Sequence, residues 1–244
     1  MKRQTIRKIV LFISFVLFQS FLLFHLFFSP VLIVVAASQG IVNGSFVIYT
    51  ILVLTSLFFG RAFCGWICPG AGLNELCALA TTKRAPSNNF RKMKYIVSTI
   101  LFSIVALLAL NAGGFHTLDL FFGTQSSTLT QELIMFFGVI ALIVPAAFII
   151  GTRSNCKYIC WLAPLMIAGN ALRNRVGWPG LHLEAKADLC EQCGMCNSVC
   201  PMNLDVMSGV LEENLYNTEC ILCGSCIDSC ANSAIRYAFF NNQY

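Results

Sequence analysis

Residues 190–201 read CEQCGMCNSVCP and residues 220–230 read CILCGSCIDSC. Each run has three cysteines separated by two residues, and a fourth cysteine after three more. With this spacing three thiolates wrap three corners of one cubane, while the fourth, held away by the longer gap, reaches a second cluster. The spacing therefore predicts two 4Fe-4S clusters. The first has the ligands Cys190, Cys193, Cys196 and Cys230, and the second has Cys200, Cys220, Cys223 and Cys226.

Two other uses of clustered cysteines fit these runs less well. Structural zinc sites need only paired cysteines with a long spacer, which leaves half of each run without a role. Disulfides are disfavoured in a reducing cytoplasm. Over residues 186–240 the chain resembles the bacterial two-cluster ferredoxins, and the offset of 30 residues between the runs matches the pseudo-twofold plan of that fold. Ala231 stands where that family carries a second proline, which removes stiffness but no ligand.

The part of the chain before these runs has the composition of a membrane protein. Of the 244 residues 57% are hydrophobic and 11% are charged, whereas about 25% of a soluble domain is charged. Four stretches lack Lys, Arg, Asp and Glu, and each has about the 17 to 25 apolar residues that a spanning helix needs. We expect four transmembrane helices, in two similar hairpins, at residues 9–28, 41–59, 95–112 and 133–150.

The positive charges predict how these helices are oriented. All 16 Lys and Arg residues lie before the first stretch, between the second and third, or after the fourth. The loops 29–40 and 113–132 contain none. By the positive-inside rule we expect a multi-pass protein of the bacterial cytoplasmic (inner) membrane with both termini in the cytoplasm. The first stretch is longer than the core of a signal peptide, so we expect it to remain as a helix.

The charges also divide the chain into two domains. Residues 184–244 carry a net charge of −6, and residues 1–183 carry +11. We predict a helical transmembrane domain over residues 1–182 and a small α+β ferredoxin domain over residues 183–244. The basic residues beside the predicted cytoplasmic leaflet favour anionic membrane lipid, and not nucleic acid, as their binding partner. The acidic tail predicts either a redox partner with a basic surface or a tail that folds back onto the basic loops.

Four further cysteines form two Cys-x3-Cys pairs just after the second and fourth apolar stretches. The offset between the pairs is 92 residues, and it also relates Arg61 to Arg153. If the helix continues past the membrane surface, this spacing puts both sulfurs of a pair on one face. The pairs are Cys64 with Cys68 and Cys156 with Cys160.

Three interpretations of these four thiols are open. They hold a further iron-sulfur centre, which needs four ligands; they cycle as redox dithiols; or they are small buried hydrophobic groups with no chemistry. Cys77 has no counterpart at the offset of 92 residues, so we expect it to be structural.

The motif GRAFCGWICP at residues 60–69, the second cysteine pair and the ferredoxin tail together resemble the membrane polyferredoxin family, whose best-known members are NapH and NosR. The resemblance covers nearly the whole chain. It implies a subunit of the quinol dehydrogenase type that exchanges electrons between the membrane quinol pool and redox partner proteins. Members usually have Cys-x3-Cys-Pro twice. Here Trp161 follows Cys160, a change that keeps both thiols.

A function of a different class is also compatible with these features. The alternative is an accessory or regulatory membrane protein that supplies electrons for metalloenzyme maturation or reduces a metal ion. A third, plainer option is a membrane anchor that docks a ferredoxin. His25 is the one histidine within an apolar stretch, which argues against a haem held by two membrane histidines. The chain has no Gly-rich nucleotide fingerprint, so we expect no bound NAD or FAD.

Overall fold

A computed structural model describes residues 2–23, 30–86, 89–122 and 129–239. Within these ranges the chain is mostly helical. The helices are α1 (Lys2–Leu23), α2 (Pro30–Ser38), α3 (Gly44–Phe59), α4 (Ala62–Trp66), α5 (Pro69–Ala80), α6 (Met93–Asn111), α7 (Leu129–Ile149), α8 (Leu162–Val176), α9 (Met195–Val199), α10 (Val206–Leu211) and α11 (Ser225–Ser229). The strands are β1 (Ile41–Val42), β2 (Thr117–Leu118), β3 (His182–Ala185) and β4 (Ile235–Ala238). Short helical turns occupy Asn89–Lys92, Asn155–Ile159 and Ala187–Leu189.

The long helices α1, α3, α6 and α7 cover most of the four apolar stretches. In the described part of the chain one helix, Phe90–Asn111, is long and apolar enough to cross a membrane, with a mean hydropathy of 2.1. Gly44–Phe59 and Phe137–Ile149 are apolar but shorter. The end of the first stretch lies outside the described residues. The architecture of four spans therefore stays a prediction.

The loop predicted at residues 29–40 is mostly helical. Pro30 is the first residue of α2, a position where its missing N–H would have no helical partner in any case. The helix packs against α6. Strand β1 follows it and pairs in parallel with β2, with Ile41 opposite Thr117. Ile41 and Val42, predicted as the start of the second helix, thus form a strand instead. The two loops that lack Lys and Arg meet beside it, where the backbone N–H of His116 donates to the carbonyl of Gly40 at 3.0 Å.

After α3 the chain turns back into the bundle. Gly60 ends α3 with a φ of 53°, in the left-handed region that glycine adopts without a steric cost. The next segment then follows α1: Gly65 accepts a hydrogen bond from Arg7, and Ile67 accepts one from Ser14. Helix α5 packs against α1 and α7. The helix therefore does not continue straight through the first cysteine pair.

A second turn of the same kind follows α7. The segment after α7 forms the turn Asn155–Ile159 before α8 begins. At the start of α8, Trp161 packs edge-on against Tyr49 in α3, with the ring centroids 4.6 Å apart. Helix α8 then runs alongside α3 and also contacts α6. The helix is therefore interrupted at the second cysteine pair as well.

The last part of the chain forms a small α+β unit. Strands β3 and β4 pair antiparallel, with His182 opposite Ala238 and Ala185 opposite Ile235. Helices α9 and α11 pack against each other. The unit is held to the helices at its edge, where Arg3 forms an ion pair with Asp228 at 3.6 Å. The acidic tail thus folds back onto the basic part of the chain.

Glu75, on α5, is a largely buried carboxylate between two arginines, with 15% of its side chain exposed. Its Oε1 lies 2.8 Å from Nη2 of Arg7 and 2.6 Å from Nη2 of Arg153. Burial raises the pKa of Glu75, but the charges of Arg153 and Arg7 outweigh this and hold it below its usual value. The carboxylate therefore joins α1, α5 and the segment after α7.

Glu219 is a second buried carboxylate between two cations. It lies 2.8 Å from Nη1 of Arg61 and also pairs with Nζ of Lys94. Burial raises the pKa of Glu219, but Arg61 and Lys94 outweigh it and lower the pKa. These two ion pairs join the small α+β unit, called the ferredoxin-like unit below, to α6 and to the residues after α3.

We expect Glu75→Gln to destabilise the protein by about 3 to 5 kcal/mol, because it leaves two buried arginines without their anion. The measurement is thermal unfolding of the detergent-solubilised protein. Glu184→Gln is the matched control, since Glu184 pairs with the exposed Arg236 at 2.7 Å and such surface pairs contribute about 1 kcal/mol or less. Equal melting temperatures for the two variants would contradict the role of Glu75.

Candidate iron-sulfur sites

The first three cysteines of the second run and the last cysteine of the first run line one cavity. Its lining includes the four residues that the spacing assigns to one cluster, namely Cys200, Cys220, Cys223 and Cys226. Burial, with a smaller contribution from the nearby Cys223 and Cys200, raises the pKa of Cys220 to about 12. A buried thiol becomes a thiolate when a metal ion shares its sulfur. The residues of this quartet therefore fit a bound iron-sulfur cluster.

Both cysteine runs have the same backbone conformation. Gln192 and Gly194 have φ values of 54° and 71°, and 30 residues later Leu222 and Gly224 have 50° and 74°. A short helix begins directly after each glycine. Turns that contain left-handed residues direct successive N–H groups to one side and form concave anion sites. The internal repeat thus extends from the cysteine spacing to the shape of the loops.

The other ferredoxin quartet is more open to solvent. Cys193 is exposed, whereas Cys190, Cys196 and Cys230 are partly buried. Burial raises the pKa of Cys196, and the charges of Cys190 and Cys193 also raise it, so these three sulfurs are neighbours. Cys230 follows α11, and the contact of α11 with α9 brings it toward the first run.

The two Cys-x3-Cys pairs converge on a buried location, which we call the inner cysteine site. Burial raises the pKa of Cys68, and the nearby thiols of Cys64, Cys156 and Cys160 raise it further. Burial, together with Cys64 and Cys156, raises the pKa of Cys160 to about 12. Nη1 of Arg153, three residues before Cys156, donates to the carbonyl of Cys64 at 3.2 Å, so the two segments meet and bring their four thiols close enough to act on one another.

The second cysteine of each pair lies at the beginning of a helix. Cys68 is the N-cap of α5, and the backbone N–H of Ala71 opposes the rise in the pKa of its thiol. The backbone N–H groups of Ala163 and Leu162, at the start of α8, likewise oppose the rise in the pKa of Cys160. Free N–H groups and the helix dipole stabilise negative charge at this position. Both pairs are thus arranged to support a thiolate, the form that binds metal.

Arg61 and Arg153, also 92 residues apart, flank the inner cysteine site. Their exposed fractions are 0% and 2%. Burial raises the pKa of Cys64, and the charge of Arg61 opposes this effect, with a weaker contribution from Arg153. Within the described residues, Nε and Nη2 of Arg61 are buried and have no hydrogen-bond acceptor. Two buried cations and two unused donors fit a site that holds an anionic group.

The inner cysteine site touches the loop of the second cysteine run. A Cβ atom on residue 65 would lie 2.3 Å from the carbonyl oxygen of Ile221, so only glycine fits at Gly65. Next to it, Nε1 of Trp66 donates to the carbonyl of Leu222 at 2.9 Å. The buried ferredoxin quartet therefore faces the helices, and the exposed Cys193 belongs to the other quartet.

In the described ranges no group of three or more His, Cys, Asp or Glu residues is placed to hold a single metal ion. A cubane spreads its four thiolates around a larger body of iron and sulfide. Cys77 is buried on α5, where burial raises its pKa, and its structural role stays a prediction. His25 lies outside the described residues.

The sequence did not single out Glu219 or Lys94, although a signal for each was present. Glu219 directly precedes Cys220, a predicted ligand. Lys94 lies one residue before the third apolar stretch, where a charge needs a partner. In the structure both are buried and paired.

Family models match both cysteine-bearing parts of the chain. A 4Fe-4S binding domain matches residues 44–84 and 133–179, which contain one Cys-x3-Cys pair each. A 4Fe-4S dicluster domain matches residues 189–235, which contain both ferredoxin runs.

Curated relatives are similar over most of the chain. An uncharacterized protein of Methanocaldococcus jannaschii is 28% identical, over 78% of this chain and 76% of the relative. The ferredoxin-type protein NapH of Escherichia coli is 27% identical, over 74% of this chain and 63% of NapH. The regulatory protein NosR of Pseudomonas aeruginosa is 26% identical, over 74% of this chain and 25% of NosR. No solved structure matches the chain.

We expect Gly65→Ala to destabilise the contact between the ferredoxin-like unit and the helices, because the new methyl group would overlap the carbonyl of Ile221. Such overpacking costs about 1 to 3 kcal/mol. The measurement is hydrogen exchange by mass spectrometry, in which the amides of residues 220–226 should exchange faster than in the native protein. Gly138→Ala is the control, since a Cβ there meets nothing within 4 Å. Unchanged exchange in Gly65→Ala would disprove the close contact.

Proposed function

The chain is a NapH/NosR-like polyferredoxin, and on this basis we propose that it carries electrons between the membrane quinol pool and a redox partner protein. The matched 4Fe-4S domains and the relatives make it an iron-sulfur electron-transfer protein. The quinol link, the membrane and the number of clusters are our proposal.

The ferredoxin domain, residues 183–244, holds two 4Fe-4S clusters in this proposal. The observation that carries it is the cavity shared by cysteines of both runs. A bound 4Fe-4S cluster supplies one-electron chemistry. The residues of the chain hold it in place, exclude water and set its surroundings. The two ligand sets are Cys190, Cys193, Cys196 and Cys230, and Cys200, Cys220, Cys223 and Cys226.

The inner cysteine site holds a further iron-sulfur centre in this proposal. Four buried thiols converge there, two of them at helix N-termini. Arg61 and Arg153 supply positive charge beside them. The 4Fe-4S binding domain matches two separate segments, each with one cysteine pair. These observations favour a centre over isolated dithiols or inert thiols. The ligands are Cys64, Cys68, Cys156 and Cys160.

We assign residues 1–182 to the bacterial cytoplasmic membrane, with several spans and both termini in the cytoplasm. The apolar helix Phe90–Asn111 supports insertion. Contacts near the N-terminus support the assignment of both termini to the same side of the membrane. Gln4 donates to Asp228 at 2.7 Å, and Arg3 pairs with the same carboxylate. The ferredoxin domain therefore lies beside the first residues of α1.

The burial of the sites favours one order of electron transfer. The inner cysteine site contacts the loop of the buried ferredoxin quartet, and the quartet that contains Cys193 is the exposed one. Electrons from quinol would thus leave the protein near Cys193. Asp188 and Glu191 are exposed close to this residue, which favours a partner with a basic surface.

A second candidate function has support from one relative, since NosR is named as a regulatory protein. In that case the same sites would supply electrons for maturation of a metalloenzyme, and quinol would not be the donor. The quinol experiment below separates the two functions.

We expect quinol to reduce the iron-sulfur clusters of the protein reconstituted in liposomes under anaerobic conditions. The measurement is the loss of visible absorbance, and the appearance of the EPR signals of the reduced clusters, after addition of menaquinol or ubiquinol. Clusters that stay oxidised with both quinols, but are reduced by a low-potential soluble ferredoxin, would contradict the proposed direction.

We expect the isolated protein to contain about twelve iron atoms per chain, since each 4Fe-4S cluster has four. Cys64→Ser should lower this number to about eight, because the inner site loses a ligand. Cys77→Ser is the matched control and should leave the iron content unchanged, as Cys77 belongs to none of the three quartets. About eight irons in the native protein would show that the inner site holds no 4Fe-4S centre.

A further inference from the structure

Arg61 lies between the inner cysteine site and the ferredoxin domain. It follows Gly60, the residue at which α3 ends, and its side chain is fully buried. On one side, Nη1 lies 2.8 Å from Oε2 of Glu219, the residue before Cys220. The other oxygen of Glu219 pairs with Lys94. One arm of the guanidinium is therefore fixed to the loop of the buried ferredoxin quartet.

The remaining donors of Arg61 have no use within the described residues. Nε and Nη2 are buried and have no hydrogen-bond acceptor. A buried charged donor without an acceptor loses the energy of its hydration and gains nothing in return. The thiols of Cys64, Cys160 and Cys156 are close enough to act on the charge of Arg61. The carbonyl of Arg61 also accepts a hydrogen bond from the N–H of Cys64 at 3.0 Å, so this arginine lies directly beside the inner cysteine site.

Arg153 occupies the equivalent position 92 residues later but uses its donors differently. Its Nη1 donates to the carbonyl of Cys64 at 3.2 Å, and its Nη2 donates to Glu75 at 2.6 Å. Arg153 therefore fastens protein segments to one another. Of the two arginines, Arg61 is the one with donors left for a bound group.

We propose that Arg61 is a positioning residue that links two redox sites: its Nε and Nη2 donate to sulfur atoms of the centre in the inner cysteine site, while its Nη1 holds Glu219 beside the buried ferredoxin quartet. This inference rests on the proposed further centre. Cluster sulfur is an acceptor whose hydrogen bonds help to set the reduction potential. A reduced centre carries one more negative charge, so the cation and its hydrogen bonds stabilise the reduced form and raise the midpoint potential.

The test is a potentiometric EPR titration of the intact protein purified anaerobically in detergent. The signal that disappears in Cys64→Ser identifies the inner centre. Arg61→Lys keeps the charge and the ion pair but loses the planar set of donors, and Arg61→Gln also loses the charge. We expect Arg61→Lys to make reduction of the inner centre less favourable by a factor of about ten, which is about 59 mV for one electron. Arg61→Gln should shift the potential further in the same direction.

Arg236→Lys is the matched control, because Arg236 is an exposed arginine that pairs with Glu184. It should leave the midpoint potential of the inner centre unchanged. About twelve irons per chain, together with the same potential in Arg61→Lys as in the control, would overturn the role of Arg61 and leave the centre in place. About eight irons in the native protein would remove the proposed centre, and this role of Arg61 with it. Arg61→Lys retains the pair with Glu219, so the midpoint potential of its inner centre tests the role of Arg61 even if Arg61→Gln does not fold.

Discussion

A charge buried in a protein is tolerated only when opposite charges and hydrogen bonds replace its water. Glu75 and Glu219 meet this constraint, each between two cations from separate segments of the chain. Glu75 ties the first helix to the segments that follow α3 and α7. Glu219 ties the ferredoxin domain to the helices. The inner cysteines lie on these same segments, so their convergence depends on the two carboxylates being ionised and paired.

The interruptions after α3 and α7 place polar side chains, among them Arg61 and Arg153, in the interior of the protein. Each segment turns inward and brings its second cysteine to the start of a helix that packs among the longer ones. Electrostatic interactions are stronger there than in water, because the surroundings have a low dielectric constant. An arginine or a helix N-terminus therefore acts more strongly on the inner sulfurs than on the exposed Cys193.

The cysteine spacing predicts the ferredoxin runs, because cluster geometry requires a fixed local spacing, and a 4Fe-4S dicluster domain matches the same part of the chain. The repeated loops at Leu222 and Gln192 agree with this. The offset of 92 residues likewise identified the paired cysteines and arginines. By contrast, the helix in the loop after Pro30, the inward turn at Gly60 and the burial of Glu219 depend on contacts between distant segments. Hydrophobic patterns and charge counts do not say which individual residues meet in such contacts.

The close approach of Gly65 and Ile221 also constrains the order of biogenesis. The carbonyl of Ile221 fills the space beside Gly65, and Trp66 and Gln4 hold the neighbouring carbonyls. Once formed, this contact closes one side of the loop of the second run. In the proposed function, the cluster of the buried quartet would therefore have to be assembled before this contact forms, whereas the exposed Cys193 leaves the other quartet open to solvent.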